Sequence, residues 1–131
     1  EQYLKALQST NKPPLSDIDI KVHFGLGQCY MLRVYSGKDE TFILAIDEFS
    51  QVIQGYQSGE NLRVQELASE AHARLGLIYR LSGYPEKALQ EYEFALSLAD
   101  ENSERSKIFR KDISILREIL LTPSVIPTSA R

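Results

Sequence analysis

The sequence is poor in several features, and each shortage excludes a class of protein. It holds a single cysteine, Cys29, so no disulfide can form within the chain, which fits a reducing compartment and predicts a cytoplasmic protein. No apolar run approaches the ~20 residues that a membrane-spanning helix needs, so no membrane contact is expected. A Gly-rich phosphate loop, HExxH and CxxC are all missing, so we predict no cofactor, no metal site and no enzymatic activity.

The chain also lacks an excess of positive charge. Its 15 Lys and Arg residues are outnumbered by 18 Asp and Glu residues, which gives a formal net charge of −3. A phosphate-binding surface usually makes the whole domain basic, so we expect no nucleic-acid partner. The main basic cluster, Arg105, Lys107, Arg110 and Lys111, is flanked by acidic residues and is interpreted as a solvated helix face.

The composition is otherwise that of an ordinary globular domain. Hydrophobic residues make up 43% of the 131 positions and charged residues 25%, a balance that suits one soluble domain with a sizeable core. The chain begins with Glu1 rather than Met, so we expect a processed product or a fragment of a longer protein.

The strongest pattern lies in residues 71–100, which read as two amphipathic helices joined by a short turn. Its recurring positions are Leu75-Gly76, Tyr79, Gly83, Ala88, Tyr92 and Ala95. This pattern resembles the tetratricopeptide repeat (TPR), whose signature is a Leu-Gly pair, a Tyr three residues after the Gly, then Ala, an aromatic residue and a second Ala. The resemblance implies an all-α fold, a right-handed superhelix of antiparallel helix pairs.

A Leu26-Gly27 pair followed by Tyr30 repeats the first half of this signature. We therefore predict one repeat over residues 16–57 and a second over residues 61–99. The first repeat is the longer one, because more residues separate its Leu-Gly pair from the Ala that follows. Its helices are expected to exceed the usual length by a turn or two.

Both ends of the array are predicted to differ from these repeats. Residues 1–10 match the end of a repeat's second helix and are interpreted as a partial repeat. Residues 104–121 are amphipathic without the signature, so a C-terminal capping helix is predicted there. The domain thus covers residues 1–121, and residues 122–131, which contain two prolines, are predicted to be a flexible tail.

Local signals predict where individual helices begin and end. Ser16 followed by Asp19 predicts a helix start, because the hydroxyl can accept an otherwise unpaired backbone N–H. Gly83 suits the left-handed residue just past a helix end, and Pro85 suits the first turn of the next helix.

The first full helix is predicted to bury one apolar face. The side chains near that face are Ile18, Val22, Leu26, Cys29 and Tyr30. Cys29 is therefore expected to be a buried small hydrophobe.

Polar residues of the repeats are interpreted as structural. His23 and His72 both lie three residues before a Leu-Gly pair, and we expect each to fill a packing gap rather than to bind metal or sense pH. Glu70 and Arg74 are spaced to form an ion pair on an exposed helix face.

In the TPR family, the concave face built by the first helices of successive repeats binds partners. The resemblance places six side chains of this chain in that groove: Phe24, Gln28, Met31, Ala73, Leu77 and Arg80. They offer few donors to a carboxylate, so an apolar or amphipathic peptide or helix is expected rather than an acidic chaperone tail. We therefore predict a non-catalytic protein–protein interaction module, a scaffold or adaptor, whose partner the sequence does not identify.

An alternative function is self-association. Tyr3, Leu4 and Leu7 would expose an apolar stripe if residues 1–10 lacked a partner helix. A second chain can cover such a stripe, so a homo-oligomer assembled through the N-terminal partial repeat is the alternative prediction.

Overall fold

The structure, a computed structural model, describes residues 16–34, 41–56 and 61–122. These residues form five α-helices and contain no strand: α1 (Asp17–Val34), α2 (Thr41–Gly55), α3 (Leu62–Leu81), α4 (Pro85–Leu98) and α5 (Glu104–Leu121). The predicted all-α class is confirmed for this part of the chain, and the described helix ends lie close to their predicted positions. The predicted partial repeat over residues 1–10 and the tail beyond Thr122 lie outside the described residues.

The helix ends follow the local signals in the sequence. The Ser16 hydroxyl accepts a hydrogen bond from the Asp19 backbone N–H at 3.1 Å, so the predicted start of α1 is confirmed. Asn61 caps α3 in a similar way, accepting from the Arg63 N–H at 2.8 Å. Gly83 has a φ of +89°, the left-handed conformation predicted after α3. A residue with a side chain would be strained there, so this glycine permits the tight turn into α4.

The contacts of the helices define their directions. Three polar contacts join α3 to α4 in opposite order along the two helices: Gln65 Nε2 to Leu98 O at 3.0 Å, Ser69 Oγ to Ala95 O at 2.7 Å, and His72 Nδ1 to Glu91 Oε1 at 2.8 Å. The two helices are therefore antiparallel. α1 and α3 begin at the same end of the molecule, because Asn61 Nδ2 donates to Asp17 Oδ2 at 3.0 Å.

Two apolar clusters hold the helices together, and α3 contributes to both. The first cluster joins α1, α2 and α3 through Ile20, Met31, Ala45, Phe49, Val52, Val64, Ala71, Leu75 and Ile78. The second cluster joins α3, α4 and α5 through Ala73, Ala88, Tyr92, Ala95, Phe109, Ile113 and Leu116. Because α3 buries residues on two sides, it is the central helix of the described structure.

Each helix pair is closed by an aromatic ring that lies on a glycine. A Cβ atom built on Gly27 would lie 2.7 Å from the Phe49 ring, and one built on Gly76 would lie 3.0 Å from the Tyr92 ring. Only glycine leaves room for a ring this close to a helix backbone. The two Leu-Gly pairs of the sequence therefore mark equivalent points of close approach, between α1 and α2 and between α3 and α4.

The buried side of α1 differs from the prediction. Ile18, Val22 and Leu26 are 72%, 52% and 40% exposed, and Cys29 is exposed as well. The core lies on the opposite side of the helix, where Ile20 is 1% exposed. The prediction is wrong for these four residues, because α1 is apolar on both sides and periodicity alone cannot show which side meets α2. Tyr30, the fifth predicted residue, is half-buried and does pack against the first cluster.

Two glycines of α1 provide a matched test of this packing. Gly27→Ala should lower the free energy of unfolding by about 1–3 kcal/mol, because the added methyl group overlaps the buried Phe49 ring. Gly25→Ala should raise it by about 0.5–1 kcal/mol, because no atom lies within 4 Å of an added Cβ and alanine favours the helix. Urea denaturation followed by circular dichroism measures both, and an equal loss in the two variants would contradict the contact.

Candidate partner-binding groove

The six predicted groove residues lie on α1 and α3 and line neighbouring depressions of one surface. Phe24 and Gln28 line one depression, Gln28 and Met31 a second, and Ala73, Leu77 and Arg80 a third. Gln28 is exposed, whereas Met31 and Ala73 are 5% and 9% exposed and belong to the core. The other three are half-buried. All six therefore border the surface, but Met31 and Ala73 form its floor.

Arg74 lies where the three depressions meet. It lines each of them, and their volumes are about 290, 250 and 360 Å³. The helix α5 contributes Arg105 and Ile108 to the same surface. We call this surface the groove, and its residues are Phe24, Gln28, Met31, Leu32, Arg63, Glu66, Leu67, Glu70, Ala73, Arg74, Leu77, Arg80, Tyr92, Arg105, Ile108, Phe109 and Asp112.

The charged side chains of the groove differ in whether they have a partner of opposite charge. Arg105 Nε lies 3.4 Å from Glu70 Oε2, so these two side chains neutralise each other. Arg74 Nε is buried and has no hydrogen-bond partner within the described part of the chain. A buried N–H without an acceptor costs about 1–3 kcal/mol. Arg74 Nε is therefore a buried donor that no described residue satisfies.

The prediction of an ion pair between Glu70 and Arg74 is wrong. Glu70 pairs with Arg105 of α5 instead, and Arg74 Nε has no acceptor. Spacing along one helix shows which side chains can meet, but it cannot show that a neighbouring helix brings a competing cation. The preference of Glu70 is decided by the packing of α5 near α3.

Sequence reasoning missed several groove residues, among them Arg74, Arg105 and Ile108. Arg74 lies next to the predicted Ala73 and one helical turn before Leu77, so helical geometry placed it on the groove side. Arg105 was assigned to a solvated basic cluster, and α5 was assigned to a cap. The signal in the sequence was Ile108, an apolar residue in a predicted capping helix, because a cap normally has a polar outer face. In the structure, Ile108 is 57% exposed.

The two histidines do more than fill packing gaps. His23 Nδ1 lies 2.6 Å from Glu48 Oε1, and His72 Nδ1 lies 2.8 Å from Glu91 Oε1. Each contact joins the first helix of a pair to the second. The contacts are equivalent, because each histidine lies four residues before the glycine of its helix and each glutamate directly precedes the aromatic residue. The sequence did not show the glutamates as partners, since they lie on another helix.

Two further findings concern metal-binding groups and membrane-spanning helices. Residues 16–34, 41–56 and 61–122 contain no group of His, Cys, Asp and Glu side chains that could hold a metal ion. Within the same ranges, no helix combines the length and the apolar character needed to cross a bilayer. Cys29, predicted to be buried, is exposed because it lies on the side of α1 away from the core.

No protein-family model matches the chain, and no curated protein or solved structure is significantly similar to it.

Tyr79, close to the second histidine–glutamate pair, offers a titration test of this region. Burial raises the pKa of Tyr79, and the negative charge of Glu91 raises it further. Glu91→Gln should therefore lower the pKa of Tyr79 while leaving it above the ordinary value of about 10. The measurement is the alkaline absorbance titration of each protein minus that of its Tyr79→Phe counterpart.

The matched control is Glu48→Gln, which changes the equivalent glutamate of the other helix pair and should leave the pKa of Tyr79 unchanged. The same titration midpoint in Glu91→Gln and wild type would contradict an electrostatic effect of Glu91 on Tyr79.

The raised pKa of Tyr79 also predicts how the stability of the fold depends on pH. The unfolded chain releases this proton at a lower pH than the folded chain, so the free energy of unfolding falls as the pH rises above about 10.

Proposed function

We propose that this chain is a TPR-like module that binds a peptide or helix of another protein in the groove. The observation that carries the proposal is the surface shared by α1, α3 and α5, where apolar and charged side chains lie around Arg74, whose Nε has no acceptor among the described residues. Concave apolar surfaces with a few polar groups are the usual form of binding sites. The role is that of a non-catalytic scaffold or adaptor.

The internal repeat supports a TPR-like arrangement. In both helix pairs, an aromatic ring lies on the glycine of a Leu-Gly pair, and a histidine meets a glutamate one position before that aromatic residue. Repeat arrays extend by stacking such units on one another, and α2 packs on α3 here. A right-handed superhelix of antiparallel pairs, with α5 at its C-terminal end, is the arrangement we propose for the domain.

The chemistry of the ligand follows from the groove residues. Phe24, Leu77 and Ile108 favour apolar side chains. Arg74 favours a carbonyl or carboxylate oxygen, because its buried N–H gains a hydrogen bond only when the ligand supplies an acceptor. The ligand that fits is an amphipathic segment with an acceptor beside its apolar side chains.

Arg74→Met separates a binding role from a structural one. The free protein should unfold at the same or a higher urea concentration, because methionine keeps an apolar stem and removes the unpaired buried N–H. Peptides selected by phage display against the wild-type protein should bind the variant about 10–100-fold more weakly, as the loss of a charged hydrogen bond predicts. Isothermal titration calorimetry measures the affinities.

Two further variants bracket this result. Ile108→Glu should weaken the same peptides, because Ile108 is 57% exposed at the groove. Ile43→Glu, which is on α2 and 71% exposed, lies outside the groove and should bind like the wild type. Equal affinity of Arg74→Met and wild type, or failure to enrich any peptide, would refute groove binding.

A further inference from the structure

The side of α1 that faces away from the core is apolar, and no described residue covers it. Its side chains Ile18, Val22, Leu26 and Cys29 are exposed. Together with Gly25, they recur at spacings of three and four residues, which keeps them in one stripe of the helix. We call these five residues the outward face of α1. A helix that is apolar on both sides is normally buried on both sides.

The middle of the outward face has a notch next to a projecting side chain. No described atom lies within 4 Å of a Cβ atom built on Gly25, and the neighbouring Leu26 is exposed. If two copies of α1 pack antiparallel about a twofold axis at this point, Leu26 of each copy fills the notch at Gly25 of the other. The same register places Val22 opposite Cys29 of the second copy. The outward face is therefore complementary to itself.

The charges of α1 favour the antiparallel direction. Asp17 and Asp19 lie in its first turn, and Arg33 lies in its last turn. Helical periodicity places Asp19 and Arg33 on the same edge of the outward face. In an antiparallel pair this edge runs beside its own copy, so Asp19 of each chain comes close to Arg33 of the other. A parallel pair would instead bring the two acidic first turns together.

We propose that the outward face of α1 is the contact surface of an antiparallel homodimer, in which a second copy of the chain covers it. The contact differs from the predicted association through residues 1–10, because a described helix makes it. Burial of Val22 and Leu26 on both copies supplies the driving force. One helix from each copy makes an interface at the small end of the usual range, so we expect dissociation in the micromolar range. None of the five face residues lines the groove, so the contact is separate from ligand binding.

Disulfide cross-linking tests both the contact and its direction. In Val22→Cys, the new thiol lies opposite Cys29 of the second copy, so mild oxidation should give a covalent dimer on a non-reducing gel. Within one chain the two thiols are seven residues apart, about 10 Å along the helix, which is too far for a disulfide. Wild type and Val22→Cys/Cys29→Ser should remain monomers on the gel, because identical positions are equally far apart across the antiparallel pair.

Ile119→Cys is the matched control for chance collisions. Ile119 lies on α5 and is 50% exposed, whereas Val22 is 52% exposed. The control should cross-link at least about tenfold more slowly, because its thiols are not held together by a contact. Equal rates in Val22→Cys and Ile119→Cys, or no dimer in Val22→Cys, would overturn the proposal. Rapid cross-linking of wild type or of Val22→Cys/Cys29→Ser would indicate a different arrangement and would overturn it as well.

Sedimentation equilibrium measures the same contact without a covalent bond. Val22→Asp should weaken the dimer at least about tenfold, because docking would bury two carboxylates. Ile119→Asp should associate like the wild type. Circular dichroism shows whether both variants are folded, which we expect because neither position belongs to a core cluster. A wild-type chain that stays monomeric well above micromolar concentrations would contradict the dimer.

Discussion

The contact of an aromatic ring with a glycine backbone is the interaction on which the rest of this structure depends. Phe49 on Gly27 and Tyr92 on Gly76 set how closely the two helices of each pair approach. At this separation, a histidine one turn before the glycine reaches a glutamate of the neighbouring helix. A side chain at either glycine would push the helices apart, lengthening that polar contact and opening the core around the ring.

The groove is a consequence of the same arrangement. Pairing of α1 with α2 and of α3 with α4 leaves α1, α3 and α5 beside one another, so their unpaired sides form a single surface. Arg74 belongs to the central one of these helices, which explains why it lines all three depressions. The buried Nε of this side chain has no acceptor among the described residues, and the proposed binding depends on it.

Features that depend on neighbouring residues were predictable from the sequence, and features that depend on the opposing helix were not. Ser16 and Gly83 act within their own helix ends, so the pattern of nearby residues was sufficient to place them. The partner of Glu70 and the buried side of α1 required knowledge of which helix lies opposite. The six predicted residues do border one surface, whereas Arg105 was missed because α5 comes to lie beside α3 only when the helices are assembled.

The double role of α3 has a mechanical consequence. Ala73 on one side and Leu75 on the other belong to different core clusters, so α3 is the helix that both clusters share within the described residues. A pulling force applied at the two ends of the described domain is carried by α3. Extension that disorders α3 would remove a wall from both clusters together, so the domain should yield in one step rather than repeat by repeat.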